Sequence, residues 1–165
     1  MGSTTLGNLR VDVSGDATER RLVLAGRLDE SVRLEGQAAA WQARTVVLES
    51  AGITAINSLG IREWMHLMTH LTAGGATLVH ERCAEALVEQ MSFIPAVRGG
   101  GEVRSFHAPY ICPACFHETS MLIDVAVHGD TLRAKHAPGL SCERCGTAME
   151  LADLPERLFA FLNTC

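Results

Sequence analysis

The chain has no apolar run approaching the ~20 residues that a membrane-spanning helix needs. No hydrophobic segment of the secretion-signal type follows its start. Both absences lead to the expectation of a cytoplasmic protein with no membrane partner. Basic clusters are missing too. The formal charge is −5, with ten arginines against twelve acidic residues over 1–108, and four Lys or Arg against seven acidic residues over 109–165. Neither stretch draws nucleic acid or anionic lipid by charge alone. Catalytic signatures are equally scarce. Gly99-Gly100-Gly101 lacks the Lys and Ser/Thr of a phosphate-binding loop. No paired acid and base, and no nucleophile with a recognisable base, stands out, so an enzyme is not expected.

Enough is present to fold. Hydrophobic residues make up 47% and charged residues 20% of 165, which suits one good core or a core plus a stapled mini-domain. The opening MGSTTLGN is polar and small, and reads as frayed. Leu9 to Val13 alternates like a half-buried strand, and Arg21 to Gly26 reads as its hairpin partner across Ser14-Gly15-Asp16. Asp29 or Ser31 could cap a short helix through Ala40, with Val32, Leu34 and Trp41 to pack. Thr45 to Leu48 has the β-branched run of a buried parallel strand. Ile61, Trp64, Met65, Met68 and Leu71 recur at helical spacing, and Gly74-Gly75 closes that helix. A strand over 76–79, a helix over 84–91, a glycine hinge at 99–101 and a strand over 102–106 follow. The alternation implies an α/β fold with a mixed sheet and helices packed on it.

After Ala108-Pro109 the character changes. Short strands are expected over 121–127 and 131–134 around a His128-Gly129-Asp130 turn, then a short helical tail within 153–162 with Pro155 at its first turn. Of six cysteines, four form two C-x-x-C pairs, Cys112-Pro-Ala-Cys115 and Cys142-Glu-Arg-Cys145, separated by 26 residues. Each pair can fold as a knuckle aiming two thiolates at one point. Together they make a closed tetrahedral sulfur shell that suits one structural Zn²⁺ and leaves no position for a catalytic water. Disulfides conflict with the expected compartment and a redox pair lacks its βα context, while an iron–sulfur cluster stays open. His107, His117, His128 and His136 could each replace a thiolate but are not needed. Cys83 reads as buried and inert, and Cys165 as part of a loose terminus. The pattern over 109–150 resembles the zinc-ribbon class, whose members bind proteins or nucleic acid. With no basic cluster here, nucleic acid is not the expected partner.

Asn57-Ser58-Leu59-Gly60 opens the main helix, and on capping grounds alone Asn57 or Ser58 is an N-cap. The stretch around it is more specific. Gly26-Arg-Leu-Asp29, the strand at Val46-Val-Leu48, the turn at 52–61, the amphipathic helix and Gly74-Gly75-Ala-Thr-Leu-Val79 resemble the STAS domain of bacterial anti-sigma-factor antagonists over about 8–107. The resemblance implies a protein-binding regulator, with Ser58 as phosphoacceptor and Asn57, Leu59 and Gly60 as partner-binding positions. It further implies a GHKL-type serine kinase, an anti-sigma factor or other STAS proteins as partner. Here Asn57 stands where the family has Asp, and Leu59 where it has a small residue. The expected organisation is a STAS-like domain at 8–107, a zinc ribbon at 109–150 and a helical tail at 151–165. A non-switched scaffold for signalling complexes is the alternative.

Overall fold

The computed structural model describes residues 1–163. A six-stranded sheet runs in chain order: β1 (Gly2–Leu6), β2 (Leu9–Gly15), β3 (Glu19–Leu28), β4 (Thr45–Ile56), β5 (Thr77–Glu81) and β6 (Glu102–Val103). The β1–β2 and β2–β3 pairs are antiparallel, and the next three pairs are parallel. The fold class is thus α/β with a mixed sheet, as expected. Helix α1 (Ala38–Trp41), α2 (Ser58–Ala73) and α3 (Glu85–Phe93) form the crossovers between parallel strands. Sequential parallel strands with crossovers of one hand put all three on the same side.

That side holds the core. Leu22, Leu24, Val46, Leu48 and Leu78 meet Trp64, Leu67, Met68 and Leu71 of α2 and Leu87, Val88 and Met91 of α3. Trp64 donates its indole N–H to the Val97 carbonyl at 2.9 Å. Gln42 reaches the carbonyls of Leu71 and Gly74, satisfying acceptors that the end of α2 leaves open. The other face of the sheet carries an ionic lattice instead of helices. Arg21 lies 2.7 Å from Glu81 and 3.4 Å from Glu49, Arg82 pairs with Glu49, and Arg104 with Glu81 and Glu102.

A second sheet has the order β8-β7-β10-β9, from β7 (Ser105–Ile111), β8 (Glu118–Asp124), β9 (Leu140–Ser141) and β10 (Ala148–Leu151). Its root is stitched to the first sheet: the Cys83 amide donates to Ser105 and the His107 amide to the Cys83 carbonyl. β7 runs continuously across residues 107–109, where the sequence changes character.

Several local expectations are corrected. Residues 2–6 form β1, because Gly7 adopts φ 61° and makes a two-residue turn to β2. The helix expected from Asp29 or Ser31 shrinks to a 3-10 turn at Glu35–Gln37 and α1, neither capped by a side chain. Val32, Leu34 and Trp41 are buried all the same. The strand expected over 102–106 divides between β6 and β7, one in each sheet. The strands expected over 121–127 and 131–134 become β8 followed by helix α4 (Val125–Arg133), since Asp124 caps the amides of Ala126 and Val127. The tail forms α5 (Pro155–Leu158) and a 3-10 turn. That break turns Phe161 inward beside Leu158 and Phe159 and leaves Leu154 exposed. Cys165 lies outside the described residues.

The glycines at 99–101 pack as a turn over His80. A Cβ at Gly101 would lie 2.8 Å from the His80 ring. His80 is fully buried, bonds the Arg98 carbonyl through Nε2 at 2.8 Å and has no partner at Nδ1. Burial pushes its pKa down to about 4. The unfolded chain therefore binds a proton below about pH 6.5 that the folded chain refuses until about pH 4. Stability is complete above that window and falls with pH inside it, by on the order of 3 kcal/mol. Urea titrations from pH 7 to pH 4 should show this slope in the wild type and a flatter one in His80→Leu. Equal slopes would refute the assignment.

Candidate functional site

Two groups of sequence-predicted residues occupy separate places. The first is the start of α2, at the carboxyl ends of β3 and β4. Asn57 is the N-cap, extended at φ −117° and ψ 177°, and its Oδ1 accepts from the amides of Leu59 and Gly60 at 3.1 and 3.0 Å. Its own amide donates to the Leu28 carbonyl. Ser58 follows on the surface, and its hydroxyl makes no hydrogen bond among the described residues. Leu59 is 46% exposed. Gly60 turns inward and does not reach the surface. A Cβ there would penetrate the carbonyl of Leu28.

Residues that sequence reasoning passed over complete this surface. The Asn57 side chain donates through Nδ2 to the Glu30 carboxylate at 2.6 Å, so an acidic group stands against the residue before the serine, although residue 57 is not acidic. The neighbouring Asp29 is buried and accepts from the Ser31 hydroxyl and amide, Asn8 Nδ2 and Arg27. The Ser31 hydroxyl foremost, and then Asn8, hold the Asp29 carboxyl well below the usual carboxylate range. This knot ties the β1–β2 turn to the loop after β3 and fixes where Glu30 stands. Asp29 was legible only as a capping candidate, since the partner that ties it to the β1–β2 turn, Asn8, lies 21 residues away.

The second group is the cysteine cluster. Cys112 and Cys115 lie between β7 and β8, Cys142 and Cys145 between β9 and β10. The two turns repeat the same bonds. Cys112 N donates to His117 O and Phe116 N to Cys112 O, while Cys142 N donates to Thr147 O and Gly146 N to Cys142 O. Phe116 at φ 57° and Gly146 at φ 75° occupy matching left-handed positions. For a bulky residue that conformation is strained, yet Phe116 holds it while 76% exposed.

All four sulfurs lie within 4.8 Å of one another, with Cys112 to Cys145 at 3.5 Å and Cys115 to Cys142 at 3.7 Å. Ligands about 2.3 Å from a tetrahedral ion stand about 3.8 Å apart. The cluster can thus hold one metal ion, and it draws in none of the chain's histidines. Cys112 and Cys142 are buried, Cys115 and Cys145 exposed. Cys83 is buried and isolated from the cluster, its thiol pushed up to about 12 by desolvation.

A groove of about 880 Å³ lies between the ends of β5 and β6 and helix α4. Glu81, Glu102, Arg104, Asp124, Asp130 and Arg133 line it, and no sequence-predicted site residue does. No described helix is long and apolar enough to cross a membrane.

Fold and site together define an α/β protein with a mixed sheet and one four-cysteine cluster able to bind a metal ion. No protein-family model matches this chain, and no curated protein is significantly similar to it.

Proposed function

We propose that this chain is a regulatory, protein-binding module of the STAS type, switched by phosphorylation of Ser58, with its back half built on a structural zinc ion. The observation that carries the reading is the serine itself: exposed, its hydroxyl without a hydrogen bond among the described residues, and one residue past the Asn57 cap. A helix N-terminus favours an anion, so a phosphate on Ser58 is tolerated by the fold. The same phosphate adds about two negative charges next to Glu30 and Leu59. A partner that packs on Leu59 and donates to the Glu30 carboxylate loses its surface through desolvation and repulsion.

On this reading the unphosphorylated form holds a GHKL-type serine kinase or an anti-sigma factor, and phosphorylation releases it. Zn²⁺ is the ion that a closed set of four thiolates suits best, and it supports the fold without taking part in chemistry. One zinc per chain is the expected content by elemental analysis.

The test compares Ser58→Asp and Ser58→Ala with the wild type. Capture of the kinase partner should survive in Ser58→Ala and disappear in Ser58→Asp. Unfolding free energies should stay within about 0.5 kcal/mol, because residue 58 is exposed. Phosphosite mapping of the protein from its own cells should find phosphate at Ser58. Equal capture by both variants would leave the switch without support.

A further inference from the structure

Every open sheet ends in unpaired backbone that can template another strand. Three of the four edges in this protein are blunted. β6 and β9 are two residues each, and β8 carries Glu118 and Asp124 at its ends. β1 is different. Its five residues, Gly-Ser-Thr-Thr-Leu, include no charge and no proline, and its pairing with β2 runs without a bulge. None of the usual devices against edge pairing is present. We propose that β1 is a dimerisation edge, pairing antiparallel with β1 of a second copy about a two-fold axis at Thr4.

The register fixes which groups are free. The Gly7-Asn8 turn makes Leu6 and Leu9 a hydrogen-bonded pair, so Thr4 with Val11 and Gly2 with Val13 are bonded pairs as well. Ser3 and Thr5 therefore aim their amides and carbonyls away from β2. In an antiparallel pairing centred on Thr4, Ser3 of each copy faces Thr5 of the other, and each such pair closes with reciprocal hydrogen bonds. Thr4 faces Thr4, and Gly2 faces Leu6.

The strand is thus complementary to itself: hydroxyl meets hydroxyl beside the axis, a pairing that sheets favour. Charges one strand further in agree with it. Arg10 stands opposite Thr5 and Asp12 opposite Ser3. Each row crossing the interface therefore ends in arginine on one copy and aspartate on the other. Self-complementarity selects a second copy over a foreign strand, and an isologous contact closes at two. One five-residue edge buries far less than a standard interface of about 1,600 Å², so the dimer is weak. The proposal does not depend on the role given to Ser58.

Sedimentation of the full, metal-loaded chain from about 5 to about 500 µM tests it. The weight-average mass of the wild type should climb from 17.8 kDa towards twice that value. Thr4→Lys places like charges opposite each other on the axis and should weaken association by at least about tenfold, as should Thr4→Glu. An equimolar mixture of the two should dimerise again, because lysine then faces glutamate. Thr5→Pro removes only an outward-facing donor and should stay monomeric with an unchanged circular-dichroism spectrum. A wild type that is monomeric throughout, dimers that survive Thr4→Lys, a mixture that does not recover, or assembly beyond two would each overturn the proposal.

Discussion

Stripping the metal with a chelator is expected to unfold residues 112–151 while the six-stranded sheet keeps its protection from hydrogen exchange. The second sheet has little else to live on. β9 has two residues and β10 has four. Metal–thiolate bonding in such small modules is worth roughly 10–16 kcal/mol of folding free energy. Without the ion, four sulfurs are left within 4.8 Å of one another. Bonds from Thr147 foremost, and then from Cys112, hold the Cys145 thiol down to about 6.

The root of the sheet resists for a different reason. Ser105 and His107 are bonded to Cys83, two residues past the end of β5 in the first sheet. Phe106 is fully buried between Phe159 and Phe161, with ring centres at 5.9 and 5.2 Å. Unfolding should therefore stop near Ala108. Exchange measured with and without chelator maps this boundary, and Cys112→Ser should reproduce the chelated pattern. If α2 loses protection together with the knuckles, the two halves share one folding unit and the proposed division is wrong. If nothing changes, the cysteines hold no structural ion.

How much of this was legible in the sequence depends on how local the cause is. Helix α2 was, because Ile61, Trp64, Met68 and Leu71 state a period and Gly74 ends it. So was the cluster, since a C-x-x-C pair fixes its own geometry and two pairs need only meet. Helix α4 was misread because Gly129 looks like a turn. In the structure it is a buried helical position, and the helix begins where Asp124 caps it. β1 was missed because its strand character comes from pairing with β2, which no residue in 2–6 announces. The acidic neighbour of Ser58 was missed for the same reason. Glu30 reaches Asn57 across 27 residues, held there by the Asp29, Ser31 and Asn8 knot. Residue 57 is thus not acidic, yet a carboxylate stands against it.

Gly60→Ala is expected to cost about 3 kcal/mol or more, among the largest effects of any single methyl group in this chain. A Cβ at residue 60 would overlap the Leu28 carbonyl oxygen and carbon and press on the Asp29 amide. These are backbone atoms, which cannot rotate aside as a side chain can. Relief requires α2 to move away from the end of β3. That movement pulls on three bonds at once, the Asn57 amide on the Leu28 carbonyl and the amides of Leu59 and Gly60 on the Asn57 cap. Gly75→Ala is the matched control. It adds the same methyl at φ 88°, where nothing lies within 4 Å, so it should cost only the left-handed penalty of about 1 kcal/mol. Urea midpoints of the two variants separate a steric cause from a conformational one. Equal midpoints would mean that the α2 start yields easily. A start that yields could not hold Ser58 at a defined place beside Glu30, so the stability of this one glycine and the geometry of the proposed switch stand or fall together.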